Sequence, residues 1–278
     1  MYTLGNCDMQ YLGGKSRISK QIAEVINEIP RRKIKNCETD SISDYECMFS
    51  ERERESNLTF VSLFCGTCSI ESKVTGFSRK ILNDKHEYLI ALLNGVKHGY
   101  ELPEFVSLEE YQYLRTHQNE DKVLSGFVGF GCSFGGKWFG GYARNKTSTN
   151  YAAQSKRSLL KDMATLMDAE FTCKDYREVE LPDGCVVYAD PPYNGTTGYG
   201  NEKFDSDVFW NYMRDISREH LVFISEQNAP DDFIPIWERQ LTRTLDVNKN
   251  NQFKATEKLF VHKCNEKYIK NLQSITRL

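Results

Sequence analysis

No apolar run in these 278 residues is long enough to cross a membrane, and residues 1–30 lack the basic-then-apolar order of a secretory signal. Neither a membrane protein nor an exported one is expected. Zinc-type spacing is also missing. Cys65 and Cys68 form the only C-x-x-C, no second pair or histidine cluster completes it, and the nine cysteines follow no disulfide framework. Reduced thiols and no metal are expected. "QYLGGKS" (10–16) lacks the four-residue gap between glycines of a P-loop, which disfavours ATP chemistry and leaves a plain glycine turn before a helix as an alternative. "FCGTCS" (64–69) falls short of a full G-x-G-x-x-G, which disfavours a nicotinamide-dependent oxidoreductase.

The composition is that of an ordinary globular chain, 40% apolar and 27% charged, large enough for one domain with a sizeable insertion. A net charge of −3 argues against a generic nucleic-acid binder, but the charge is unevenly placed. Residues 38–57 hold seven acids and two bases, whereas residues 122–161 hold seven bases and no acid. Local positive potential matters more for phosphate binding than the total does.

Hydrophobic periodicity predicts a helix carrying Ile18, Ile22, Val25, Ile26 and Ile29, closed by Pro30. Buried strands are expected at 59–64, 79–84, 170–173, 185–189, 221–225 and 258–262. Helices are expected at 86–98, 105–124 and 151–168, and around Phe209, Tyr212, Met213 and Ile216. Strands alternating with helices imply an open, mostly parallel α/β sheet covered on both faces, with a mainly helical insertion at 100–165. Ligands of such sheets bind beyond the carboxyl ends of the strands, where Asp84, Asp175 and Asp190 fall.

The stretch "VVYADPPYNG" (186–195) runs a buried strand into an acid and two prolines. Proline fixes φ and removes a donor, so Pro191 and Pro192 end the strand and stiffen the next turn. The result is either a rigid turn or a held set of one carboxylate, one carbonyl and one aromatic face aimed at a flat substrate. "FCGTCS" follows the first strand and is expected to open a helix, its amides facing an anionic or polar ligand near Gly66. Asp84 ends the second strand eighteen residues after Gly66, placed to accept ribose hydroxyls or to cap the next helix.

Taken in order, "YLGGK", "FCGTCS", "LND", "KDY" and "DPPY" resemble the motif series of Dam-like adenine-N6 DNA methyltransferases, and the later segments "VFISEQNAPDDF" and "TEKLFVHK" also look like phage and bacterial members of that group. The resemblance spans about residues 10–263, apart from the acidic stretch. It implies a Rossmann-like catalytic domain from 1–99 and 166–278, a target-recognition insertion at 100–165, and S-adenosylmethionine as cofactor. It further implies DNA as the partner, a monomer, and a bacterial or phage-infected cytoplasm. By matching positions, Tyr11, Lys15, Phe64, Gly66, Asp84, Asp175, Tyr176 and Asp190 would surround the cofactor. Asp190, Pro191, Pro192 and Tyr193 would form the catalytic motif. One departure is Cys68, where many relatives have a second glycine, which leaves the path of that loop open.

An exocyclic adenine amine is a poor nucleophile because its lone pair is delocalised into the ring. The Asp190 carboxylate and the Pro191 carbonyl can each accept one of its N–H bonds, and the prolines hold both acceptors still. Tyr193 offers a stacking face for an extruded base. The segment at 126–146 interleaves aromatics, glycines and cations, and Lys137, Trp138, Tyr142, Arg144 and Lys146 are the candidate DNA contacts. Methylation of cytosine-N4, RNA adenine or a protein glutamine, and a catalytically silent DNA-binding relative, are the alternatives.

Overall fold

The computed structural model describes residues 15–37, 58–144, 149–192, 204–244 and 252–266. Tyr11, Tyr193 and Lys146, and the acidic stretch, lie outside these residues. Seven strands among the described residues form one sheet: β1 (Thr59–Ser62), β2 (Arg79–Asn83), β3 (Glu170–Thr172), β4 (Val186–Ala189), β5 (Leu221–Glu226), β6 (Phe233–Thr244) and β7 (Gln252–His262). Their order is β3-β2-β1-β4-β5-β7-β6. The first five run parallel, and β7 is antiparallel to both neighbours.

Alternation along the strands explains how the sheet is covered. Phe60, Leu82, Val186, Tyr188 and Phe223 point into one apolar cluster, and Val61, Ile81, Val187, Ala189, Val222 and Ile224 into another. The first cluster receives α1 (Ser19–Cys37), α2 (Glu87–Lys97) and α5 (Tyr151–Met163); the second receives α6 (Ser206–Ile216). With both faces covered, β1 and β4 are buried at every residue, which is why β4 reads as an unbroken apolar run.

Three local expectations are corrected. Pro30 does not close α1, which continues to Cys37. Its ring is buried against Gly76, where an added Cβ would stand 2.8 Å from the ring, and that packing compensates for one missing intrahelical bond. The "FCGTCS" turn opens no α-helix, only a 3₁₀ turn at Glu71–Lys73. Gly66 and Cys68 sit at φ 51° and 60°, off the helical path. Asn27 of α1 then takes the bonds a helix would have made, donating to the Lys73 carbonyl at 3.0 Å and accepting from the Thr75 amide at 2.8 Å. Third, the helix expected over 105–124 is two helices, α3 (Leu108–Thr116) and α4 (Lys122–Gly126). Each has its own start: Ser107 and Glu110 form a capping box, and the Asp121 carboxylate accepts the Leu124 amide.

Strand β6 was not legible at all. Pro235 breaks its pattern, and the structure accommodates the proline at the sheet edge beside a register shift between Pro235 and Trp237. In the 100–165 segment, Tyr111, Phe127, Phe130 and Leu159 join the same apolar cluster as α1 and α2, so these helices are built onto the sheet and share its core.

Candidate active site

The carboxyl ends of β1, β2, β4 and β5 lie along one edge of the sheet, and the strand order turns at the β1–β4 boundary. That crevice is where an open α/β sheet receives its ligand. The loop after β1 is tied to both neighbours: the Leu63 amide donates to the Tyr188 carbonyl at 2.9 Å, and the Cys65 amide to the Asn83 carbonyl at 2.7 Å. Asn83 spends its whole side-chain amide here. It donates to the Leu63 and Lys174 carbonyls and accepts from the Lys174 amide and the Thr172 hydroxyl.

Asp84 ties the start of α2 to the turn after β1. Its Oδ1 accepts the His86 amide at the start of α2 (2.9 Å), and its Oδ2 accepts the Gly66 amide (3.1 Å). Burial pushes its carboxyl up to about 6, against the pull of the two amides. Each carboxylate oxygen has a second lone pair, so the bound turn does not exhaust its capacity to accept. Cys68 occupies the left-handed region that glycine favours, an uncommon conformation for a residue with a Cβ. The Cys65 and Cys68 thiols are buried, and burial raises both, Cys65 well above the usual thiol range.

Phe64 and Tyr176, expected beside the cofactor, pack on each other with ring centroids 5.2 Å apart. Phe209 of α6 supports both rings. Asp175 accepts from the Arg177 amide and guanidinium, which holds its carboxyl below the usual range.

At the end of β4, Asp190 is half-buried and Pro191 buried behind it. Lys15 reaches Asp190 Oδ1 at 2.9 Å and Glu257 Oε2, on β7, at 3.3 Å. The ammonium and the Glu257 carboxylate are nearly closed to solvent, at 2% and 1% exposure. Two further acids approach the same place. Glu226 ends β5, and burial raises its carboxyl while Lys15 lowers it. Glu71 is buried, accepts the Ser62 hydroxyl at 2.7 Å, and is pushed up to about 7, chiefly by burial and further by the charge of Asp190. Motif order alone does not reveal Glu71, Glu226 or Glu257. The available signal was an acid at an otherwise apolar position of a strand or turn, as in "ATEKLFV".

The acid-free segment is built differently. A bridge between Ser133 and Tyr142 closes a loop whose tip turns through Gly135 and Gly136, at φ 63° and 66°. Lys137 and Arg144 are exposed, and among the described residues neither has an ion-pair partner. Trp138 is packed among His86, Tyr88, Phe130 and Phe139, with centroids 4.5 to 5.1 Å away. Tyr142 donates its hydroxyl to the Val106 carbonyl at 2.6 Å and rests on Tyr111. Both rings hold the loop to α2 and α3. Lys122 and Lys156 are paired with Glu87 and Glu104, which reduces the free positive charge of the segment.

A parallel sheet extended by an antiparallel β7, with an acid following each of β2 and β4 at the crevice, defines a Rossmann-like open α/β class. A family model described as D12 class N6 adenine-specific DNA methyltransferase matches residues 43–124 and 136–225. The chain belongs to that family. No protein of curated function matches its sequence. Among solved structures it is similar to a hypothetical protein of Streptococcus pyogenes (7% identity, TM-score 0.31, covering 75% of this chain and 88% of that one). It is also similar to a candidate RNA methyltransferase of Pyrococcus horikoshii (8%, 0.36, 76% of each) and to a candidate methyltransferase of Escherichia coli (10%, 0.29, 74% and 76%). These likenesses are too distant to carry a function.

Proposed function

We propose that the chain transfers a methyl group from S-adenosylmethionine to the exocyclic amine of a flipped adenine in DNA. The carrying observation is Asp190, held at the end of β4 by the buried Lys15 ammonium with Pro191 fixed behind it. The carboxylate and the Pro191 carbonyl accept the two amine N–H bonds and favour a more pyramidal nitrogen with its lone pair free to attack. Because both acceptors are immobile before substrate arrives, no reorganisation is needed as charge develops. Tyr193 follows directly in the chain and would stack on the extruded base.

The crevice fits the cofactor. Asp84 keeps acceptor capacity for two ribose hydroxyls, the Gly66 turn allows close backbone approach, and Phe64 and Tyr176 present an apolar surface for an adenine ring beside Asp175. When bound there, S-adenosylmethionine supplies an electrophilic sulfonium methyl. Tyr11 and Lys15 would border it from the segment before α1.

A base inside a duplex cannot reach a crevice at the sheet edge, so the target must leave the stack. Residues 100–165 would hold the DNA, with Lys137, Arg144 and Lys146 on phosphates or base edges, while 1–99 and 166–278 carry the chemistry. Trp138 and Tyr142 would serve by fixing the loop. The test is incubation with methyl-labelled cofactor and a mixture of duplex DNA, RNA and protein, with Asp190→Ala in parallel. Label in DNA that is lost in the variant is expected; label confined to RNA or protein would contradict the proposal.

A further inference from the structure

A buried ammonium is stable only with counter-charges at hydrogen-bond range. Lys15 has two from different parts of the fold: Asp190 at the exposed end of β4 and Glu257 in the interior of β7. Glu226 faces the group from β5, and Glu71 faces Asp190 from the turn after β1. A single ammonium is thus shared among carboxylates, and whatever charge Glu257 draws from it is withheld from Asp190. The sharing is a matter of chain topology, because β7 lies next to β5 only by folding back between β5 and β6.

We propose that Glu257 is a positioning residue for methyl transfer. It anchors Lys15 from β7 and offsets part of its charge, so that Lys15 fixes the rotation of the Asp190 carboxylate without weakening it as an acceptor. The inference rests on the reading of Asp190 given above. A single charge at this range moves a neighbouring carboxyl by about 1–3 pH units. With Glu257 neutral, Lys15 acts on Asp190 alone. The carboxylate then loses basicity, and its hydrogen bond to the developing positive charge on the amine weakens.

The experiment uses the full chain with duplex DNA under single turnover. Glu257→Gln should lower the rate about tenfold, leave the Kd for S-adenosylmethionine within about twofold, and move the acid limb of the pH–rate profile down by about one unit. Glu257→Asp, which keeps the charge, should slow the reaction without moving the limb, and it serves if the glutamine variant does not fold. In a Lys15→Met background Glu257→Gln should change the rate no further, since Glu257 acts through that ammonium. An unmoved limb in Glu257→Gln, a moved limb in Glu257→Asp, or an additive loss in the Lys15→Met background would overturn the proposal. Asp190→Asn separates the two levels. Activity that survives it removes the reading of Asp190 itself, whereas activity lost in it beside an unmoved Glu257→Gln limb removes only the role of Glu257.

Discussion

The strand-end crevice and the acid-free loop both depend on charge, yet they hold it in opposite ways. In the crevice, Lys15, Glu257 and Glu71 are closed to solvent and fixed by partners from separate strands. On the loop, Lys137 and Arg144 stand in water, and the aromatic residues beneath them make the contacts that fix the backbone. Charge in a dry site is strong and directional, whereas charge at the surface is screened over about 10 Å at moderate salt. The first arrangement suits chemistry at one atom. The second suits a long polyanion whose contacts are many, weak and dependent on salt.

The largest effect that separates the regions should come from Asp190→Ala. Turnover should fall about 10²–10³-fold, as for loss of one preorganised partner, while cofactor binding by calorimetry stays near wild type. Equal losses in binding and turnover would mean that Asp190 belongs to the cofactor site alone.

Asp84→Asn should act instead through cofactor affinity, by about tenfold or more, with little change in the chemical step once the site is saturated. The Asp84 carboxyl is raised to about 6, and its protonated form accepts less well. Affinity of the wild type should therefore weaken as pH falls through about 6, and the variant should lose that dependence. A flat wild-type profile between pH 5 and 8 would contradict the ribose role.

Glu71 gives a stability effect of opposite sign to the usual carboxylate. Its folded pKa is raised from 4.5 to about 7 by burial, so ionisation disfavours the folded state. Its contribution is fully present below about 4.5 and is lost as pH rises through about 7. Glu71→Gln has no proton to lose and should gain on the wild type by on the order of 2–3 kcal/mol between about pH 4.5 and 8. Denaturant unfolding of both proteins at the two pH values measures it, and a constant difference would show that Glu71 does not titrate in this range.

The smallest effects belong to the loop. Lys137→Ala or Arg144→Ala should each lower DNA affinity a few-fold and reduce the salt slope by about one if the side chain meets a phosphate. If Arg144 reads a base edge, site preference should relax by about 1–3 kcal/mol instead. Binding titrations against salt, on varied duplexes and with folding verified, distinguish the cases; unchanged slope and preference in both would move the DNA surface elsewhere.

Much of the architecture was visible in the chain because parallel strands covered on both faces are continuous apolar runs. β1, β2, β4 and β5 are therefore legible, together with the acids that follow β2 and β4. β6 is hidden in the sequence because its pattern is broken by Pro235 and by exposed charges, features that an edge strand tolerates. Pro30 is no stop for α1, because its packing on Gly76 overrides a local rule. At the site, the structure brings Lys15 to Asp190, Asp84 to Gly66 and Phe64 to Tyr176. Glu257 could not be found that way, since it meets Lys15 only through the fold-back of β7, and Glu226 approaches from the end of β5 without belonging to the motif series. Trp138 and Tyr142 were read as faces for DNA because aromatics among glycines and cations look available, but their rings are used in packing.

The most direct test of the central claim is nucleoside mass spectrometry on duplex DNA of diverse sequence after reaction with the purified chain and S-adenosylmethionine. The Asp190 arrangement predicts N6-methyladenine, produced by the wild type and formed about 10²–10³-fold more slowly with Asp190→Ala. N4-methylcytosine as the product, or N6-methyladenine formed equally well by the variant, would contradict it.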